Sequence, residues 1–349
     1  MVTIIGGGIA GTVLAGALAR HGDKATLFEQ QPGGLSGGMF LFIDERGHAA
    51  LHDLGVDEST LHAASYPVTA LKYVTSTGRR AQMSRGHRFW MRSALMHILT
   101  EFVADSGAEL CYGQAVTDVT LTDTGCIVHR GDQTTTIDDS LVVAADGIDS
   151  VVRKRLEPNR IPVFAGDVVL YGITSTPLEL PTESAVLHFF AEIDDNGASS
   201  STLGHIWRPG DPNALWFIRI ARDPLTDTDD LGFRPISEWS DTVLRAAPSN
   251  QALVGTLLEH TDVVHVSNAR TVPLETAATP TLPVLLVGDA DHAITPAAGV
   301  GARDALEDAR AVYQAIISGT SPAQAMAQRR SQILADREMA LRARSGAGS

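Results

Sequence analysis

Six residues near the start of the chain, Gly6-Gly7-Gly8-Ile9-Ala10-Gly11, have the types and spacing to receive a pyrophosphate. Gly6 permits a tight turn, Gly8 lets the main chain approach phosphate oxygens, and Gly11 lets a helix pack closely on a strand. A helix opening at Ile9 and Ala10 points its N-terminal partial positive charge at the anion. Glu29 follows 18 residues after Gly11. A carboxylate there can accept hydrogen bonds from an adenosine ribose and would repel a 2′-phosphate. Glycine-rich turns of this spacing also occur by chance, and Glu29 could simply be an acid closing a strand. Here strand, turn, helix, second strand and acid arrive in order, which favours a dinucleotide site.

The elements that must position these residues follow from patterning. Val2 to Ile5 is a short apolar run of the buried parallel type, and Lys24 to Glu29 is a second strand. Leu141 to Ala145 and Thr281 to Val287 are similar runs that end on Asp146-Gly147 and Gly288-Asp289. Arg92 sits at the mouth of a helix whose apolar face is Leu95, Ile98, Leu99 and Phe102, with Ser93 as N-cap or first-turn residue. Ser150 can cap a helix after Asp146, so a strand-ending turn explains that segment without a ligand. Beyond Asp289 and His292 comes a loop through Pro296 to Gly299-Val300-Gly301, then a helix from Ala302 with Arg303, Asp304 and Asp308. Ser321-Pro322 restarts a helix by cap and first-turn proline, and the basic tail Arg337, Arg342 and Arg344 reads as a solvated face.

In this order the three glycine-bearing segments resemble the class A FAD-dependent monooxygenases, the p-hydroxybenzoate hydroxylase-like enzymes with their tetracycline-inactivating relatives, over nearly the full chain. The resemblance implies an α/β fold: a Rossmann-like FAD-binding domain with an interleaved antiparallel β-sheet substrate domain and C-terminal helices. The FAD-binding domain would comprise residues 1–65, 89–160 and 268–349, and the substrate domain 66–88 and 161–267. Implied cofactor contacts are Gly6, Gly8, Ile9, Ala10, Gly11, Glu29, Arg92, Asp146, Asp289, Pro296, Gly299, Gly301 and Ala302. Asp146 and Asp289 would hold the ribityl-pyrophosphate region, and Pro296 would face the reactive edge of the flavin. Gly299 and Gly301 would let the main chain lie against the flat ring. The following helix N-terminus would stabilise negative charge on reduced flavin. Arg153 is associated in such enzymes with cofactor and pyridine-nucleotide binding. Gln30 stands where an arginine often follows the ribose acid, and Arg303 where a small or amide residue is usual, which leaves the grip on the nicotinamide donor and the role of Arg303 open. His292 fits the motif, and a satisfied structural histidine is the reading favoured over a catalytic one.

The implied activity is a single-component monooxygenase. NADPH or NADH reduces FAD, O2 adds at flavin C4a, and the hydroperoxide oxygenates an aromatic or polyketide-like small molecule, with no acid–base residue required. Isoprenoid-saturating FAD reductases share these cofactor motifs. Halogenases share the fold, but their Trp-x-Trp-x-Ile-Pro motif is missing. A flavin-binding regulator without turnover is a third alternative.

Between the second and third motifs the pattern changes to strands, with candidates at Val168 to Ile173, Ala185 to Glu192, Ser201 to Arg208 and Ala214 to Ala221. Period-two alternation groups His188 with Phe190, Leu203 with His205 and Trp207, and Leu215 with Phe217 and Arg219. Phe217 and Arg219, with His205 behind them, are the expected substrate contacts. A plain sheet core with Arg219 at its edge is an equal reading.

Composition bounds the rest. The 349 residues are 44% hydrophobic and carry a formal net charge of -14, with no basic stripe, which disfavours nucleic acid as a partner. Cys111 and Cys126 form no disulfide framework or metal spacing and read as buried thiols. Residues 1–19 are apolar enough to pass for a leader, but no basic residue precedes them, and the glycines fit a phosphate turn. No apolar run reaches spanning length, so a cytoplasmic monomer or homodimer is expected. No Ser/His/Asp set, paired carboxylates or phosphate-cradling lysine points to hydrolysis or phosphoryl transfer.

Overall fold

The computed structural model describes residues 1–33, 39–226, 228–296 and 299–346. The chain divides into two compact units. The first comprises Met1–Tyr66, Trp90–Val163 and Thr271–Ser349; the second comprises Pro67–Phe89 and Phe164–Arg270.

A five-stranded parallel sheet organises the first unit, in the order Val284–Leu286, Leu141–Ala144, Val2–Ile5, Ala25–Glu29, Glu109–Tyr112. The runs that form its centre are apolar on both faces: Ile4, Leu27 and Val143 pack under helices, whereas Ile5, Val142 and Ala144 pack under a three-stranded antiparallel sheet of Asp118–Leu121, Gly125–Arg130 and Gln133–Asp138. From Val2–Ile5 the chain adds strands first to one side and then to the other. The crevice at that reversal, beyond the carboxyl ends of Val2–Ile5 and Leu141–Ala144, is where doubly wound sheets bind ligands. The first helix, Ile9–His21, and the helices Arg92–Ala104 and Gly301–Ile317 close one core with the sheet through Leu14, Leu18, Leu95, Leu99, Leu306 and Ala309. The last helix is Pro322–Gly346, and Ser321 accepts a hydrogen bond from the Gln324 N–H at its start.

The second unit is built on an eight-stranded sheet, in the order Asp230–Pro235, Val263–Thr271, Val163–Ile173, Leu215–Ala221, Ser199–Ile206, Val186–Ile193, Ala70–Thr75, Arg80–Met83. Neighbours from Val163–Ile173 through Val186–Ile193 are antiparallel, whereas Val186–Ile193 pairs in parallel with Ala70–Thr75. One face of this sheet is a core: Val168, Leu170, Leu203, Trp216, Ile218 and Val264 pack with Val243, Val254 and Leu257 of the helices Ser240–Ala246 and Gln251–Glu259. The Trp216 indole N–H donates to the Thr261 hydroxyl at 3.0 Å, so the ring is buried with its polar atom satisfied.

Both cysteines are free; Cys126 is buried and Cys111 is half-buried. Among the described residues no helix is long and apolar enough to cross a membrane.

Candidate functional site

Three turns of the first unit meet at the carboxyl ends of its central strands. Gly6 leaves the first strand at φ +99°, a left-handed conformation costly to any other residue. A Cβ there would stand 2.4 Å from the Ala145 carbonyl oxygen, so the first turn and the Asp146 turn touch main chain to main chain. A Cβ on Gly11 would stand 2.0 Å from the Gly6 oxygen. Gly8 is the N-cap of Ile9–His21 with no side-chain cap, and that helix has no acid in its first turn. Its leading amides therefore retain the capacity to bind an anion. Glu29 is buried at the end of its strand, accepting from the Gly7 N–H at 2.6 Å and the Gln31 N–H at 2.7 Å. Each carboxylate oxygen keeps a second lone pair.

Asp146 is half-buried and accepts from the Ser150 hydroxyl at 2.6 Å and the Val152 N–H at 3.3 Å. It thus organises the start of the helix Val151–Leu156. Burial raises its carboxyl above the ordinary aspartate value, against the pull of those hydrogen bonds. Arg153 is not aimed at a ligand. It is buried and donates to the carbonyls of Arg160, Ala290 and Ile148, so its donors lie on main chain of its own unit.

The third turn begins at Gly288, whose φ of +57° with ψ of -138° is a conformation open to glycine. A Cβ there would meet Ala305 at 3.2 Å and Ala10 at 3.7 Å, which locks this turn between the first helix and the helix Gly301–Ile317. Asp289 reaches solvent at the floor of a recess. Crowding raises its carboxyl, while the charges of His292 and Arg92 pull the other way. Arg92 is the first residue of its helix, with Met91 as N-cap, so Ser93 falls in the first turn. Burial depresses the Arg92 guanidinium, and Asp289 opposes that shift. Asp289 Oδ1 also lies 3.9 Å from where a Gly301 side chain would begin. Sequence-distant Arg92, Asp289 and Gly301 are therefore neighbours. Gly301 opens its helix without a side-chain cap on Val300, and Ala302 is half-buried beside it. Gly299 has φ +66° and donates its N–H to the Pro296 carbonyl at 3.0 Å, and Pro296 is exposed.

His292 and Arg303 turn away from this recess. His292 is 2% exposed, with Nε2 hydrogen-bonded to Asp308 at 2.6 Å. Arg303 is buried, donating to Asp304 at 2.8 and 3.0 Å and to Asp44 at 3.3 Å. Arg337 is no solvated tail residue: it is half-buried and donates to the His292 carbonyl at 2.7 Å. Its helical face was misread because the atoms it serves lie 45 residues earlier in the chain. Arg342, by contrast, is exposed and pairs with Glu338 one turn away.

In the second unit the sheet places the three expected substrate contacts on two different faces. Cross-strand register sets His205 opposite His188 and Trp216, whereas Phe217 lies opposite Gly204 and Tyr171. Opposed residues share a face, so His205 belongs to the helix-covered side and Phe217 and Arg219 to the other. Alternation within one strand carries no information on how its parity matches the next strand. Arg219 is engaged by Asp167, its Nη1 lying 3.0 and 3.2 Å from the two carboxylate oxygens. Sequence reading missed the aromatic face around Phe217. Tyr73 stacks on Phe189 at 4.2 Å, and Phe217 lies 6.0 Å from both Phe189 and Tyr171. The Phe217 ring covers Gly204, where a Cβ would stand 2.2 Å from the ring.

His205 itself is fully buried, hydrogen-bonded through Nε2 to the Thr182 hydroxyl at 2.9 Å. Burial, with a smaller contribution from His188, depresses it to about 3, so it is neutral in the folded protein. Its unfolded counterpart takes up a proton below about 6.5. The stability that depends on a neutral His205 is therefore present above pH 6.5 and lost progressively as pH falls from 6.5 toward 3. The thermal midpoint should fall steeply between pH 6.5 and 4.5, and His205→Gln should flatten that slope. An unchanged slope would show that His205 does not govern it.

Several observations suit this recess to a dinucleotide bearing a polyol chain: an uncapped helix start, main-chain surfaces that a Cβ would fill, a crowded carboxylate, and a buried Thr295 hydroxyl with no partner among the described residues. Residues 1–328 match a family model described as FAD binding domain. Kynurenine 3-monooxygenase of Salinispora arenicola is 25% identical over 356 residues, covering 93% of this chain and 74% of that protein. Among solved structures, CtdE in complex with FAD and a substrate superposes with a TM-score of 0.80 at 18% identity, covering 98% of this chain and 88% of the other. The tetracycline destructase Tet(55) superposes at 0.66 with 18% identity, covering 95% and 84%.

Proposed function

Because the chain belongs to the FAD-binding-domain family, we propose that it is a single-component FAD-dependent monooxygenase that uses NADPH or NADH and O2 to hydroxylate an aromatic or polyketide-like small molecule. The observation that carries this reading is the convergence of Gly6–Gly11, Asp146 and Gly288–Asp289 at the switch point of the parallel sheet. Relatives with comparable coverage include the kynurenine 3-monooxygenase above and the 3-amino-4-hydroxybenzoate 2-monooxygenase of Streptomyces cremeus, both named for oxygenation of an aromatic compound.

The amides opening Ile9–His21, with Gly8 to Gly11, would hold the pyrophosphate, and Glu29 would take the adenosine ribose. Asp146, Asp289 and Arg92 would hold the remainder of FAD, and Pro296, Gly299, Gly301 and Ala302 would line the flavin. When bound, FAD supplies electron transfer from the nicotinamide to O2 and delivery of one oxygen atom to the substrate. The protein's part is to orient, exclude water and stabilise charge: the uncapped amides at Gly301 favour an anion beside them, and the opposite charges of Asp289 and Arg92 stabilise each other. In the second unit, Tyr73, Phe189, Tyr171 and Phe217 offer an aromatic surface suited to stacked and edge-on contact with an aromatic ring, with the Arg219–Asp167 pair on the same face.

Two measurements test the reading. Purified protein should be yellow, and one compound from a phenolic and polycyclic panel should stimulate NAD(P)H oxidation and gain one oxygen atom from labelled O2. Colourless protein that stays colourless after incubation with FAD overturns the assignment, as does stimulated oxidation with no oxygenated product. Phe217→Ala should raise the substrate KM about tenfold or more, the loss expected for a stacked ring. FAD affinity should not change. An unaltered KM would remove Phe217 from the substrate surface.

A further inference from the structure

The turn that carries Asp289 is held from several sides through the residues around Asp289. Asp308 accepts from the Gly288 N–H at 2.9 Å and binds the His292 ring at 2.6 Å. Arg153 takes the Ala290 carbonyl at 2.8 Å. Asp291 is fully buried and accepts from Arg160 at 2.9 Å and from Arg330 at 2.6 and 2.8 Å. The His292 carbonyl accepts from Arg337 at 2.7 Å. Asp308 is in turn held by Arg329 Nε at 3.0 Å, and Arg329 also lies 3.1 Å from Glu307. Three of these arginines, Arg329, Arg330 and Arg337, come from one element, the last helix Pro322–Gly346. Among the described residues the Asp289 side chain carries no protein hydrogen bond, and it is the group that faces the recess.

We propose that Arg329, Arg330 and Arg337 are positioning residues for the flavin site: the last helix clamps the Gly288–His292 turn from behind, and so sets the orientation of Asp289 and the affinity for FAD. The proposal rests on the FAD reading above. Arg330 fixes both oxygens of Asp291 in a bidentate pair, a geometry that admits one orientation of the turn. Arg337 holds the far end of the turn through a carbonyl, and Arg329 holds the hub that binds its beginning. A loosened turn would let Asp289 sample orientations that miss its ligand, and affinity would drop without a lost contact to FAD.

The charge state of His292 belongs to the same device. It is faced by Asp289 and Asp291 of its own turn, by Asp308 and Asp304 of the helix Gly301–Ile317, and by Arg329 and Arg337 of the last helix. Arg92, at the start of the helix Arg92–Ala104, also acts on Asp289 through its charge. Burial favours the neutral ring, but Asp308, helped by Asp291 and Asp304, outweighs it and raises His292 to about 9. The raised value means that the His292–Asp308 pair stabilises the turn fully below pH 6.5, and that this support is lost as pH rises through about 9.

The test titrates FAD into apoprotein, following quenching of flavin fluorescence, for the wild type, Arg337→Met, Arg337→Lys, Arg330→Met, His292→Gln and the exposed Arg342→Met. Arg337→Met and Arg330→Met should weaken FAD binding about tenfold or more. Arg337→Lys, which keeps a donor for the His292 carbonyl, should recover most of the loss, and Arg342→Met should match wild type. Wild-type affinity should fall as pH passes 9, and His292→Gln, which keeps the hydrogen bond to Asp308 without the titration, should lack that fall. Affinity within twofold of wild type in both Met variants overturns the clamp while the FAD reading stands. So does a pH profile that His292→Gln leaves unchanged, even where a Met variant fails to fold. Wild-type protein that binds no FAD overturns both.

Discussion

Asp291→Ala should lower the unfolding free energy by about 3–5 kcal/mol, the loss expected when one member of a buried ionic cluster is removed and its partners remain. Asp291 is 0% exposed and sits between Arg160 and Arg330, each within 2.9 Å of its carboxylate. Without it two guanidiniums stay buried. Glu157 still compensates Arg160, at 2.8 Å, but Arg330 is left with the Ala278 carbonyl as hydrogen-bond partner and only the charge of Glu157, already shared with Arg160, nearby. Asp291→Asn keeps one acceptor and the side-chain volume, so it should cost less than the alanine variant and more than a surface change. Urea unfolding followed by far-ultraviolet circular dichroism reads the difference. A loss under about 1 kcal/mol for Asp291→Ala would mean that the arginines find water or other carboxylates, and the cluster would have no special weight in the fold.

Gly11→Ala should abolish FAD binding, with affinity falling by about a hundredfold or more, and should also destabilise the first unit by about 1–3 kcal/mol. The added methyl would stand 2.0 Å from the Gly6 carbonyl oxygen, 3.1 Å from Ile4 and 3.2 Å from Ala145. The nearest of these is main chain, which cannot swing aside as a side chain can. The helix Ile9–His21 would have to lift off its strand, carrying its leading amides away from the turn they share with Gly6. A control separates this from a general effect of adding a methyl in a helix. Gly255 lies inside the helix Gln251–Glu259 without a left-handed φ, and a methyl added there would meet nothing within 4 Å. Gly255→Ala should therefore stabilise by up to about 1 kcal/mol, the helix-propensity gain. Retained FAD binding in Gly11→Ala would contradict the tight-turn account.

Much of the first unit was legible because its signals are local. A glycine turn between an apolar strand and a helix, or a strand ending on Asp146-Gly147 or Gly288-Asp289, is written within about ten residues, and Gly6 and Gly11 occupy the close approaches their spacing implies. Pairings between distant segments were not legible. Arg219 finds Asp167 52 residues away, and Arg337 finds the His292 carbonyl 45 residues away; neither partner leaves a mark at the arginine's own position. Alternation could group residues within one strand of the second sheet but not across strands, because register, not alternation, decides whether His205 shares a side with Phe217. The adjacent Arg329 and Arg330, on a helix with few other strong features, were the one available hint of a buried ionic cluster at that end. Two neighbouring positions on a helix point in directions about 100° apart, so both can be buried only where the helix is embedded.

The first unit is assembled from three separated stretches of chain, and the arginines that brace its third turn lie beyond Pro322. During synthesis on the ribosome, the glycine turn at Gly6 emerges hundreds of residues before Arg329, Arg330 and Arg337. The nascent protein must therefore carry an unfinished coenzyme cradle through most of its translation, with the parallel strands waiting for Val284–Leu286 to join their edge. Coenzyme loading is on this account a late event that waits for the helix Pro322–Gly346, and chains lacking that helix would hold the yellow coenzyme weakly.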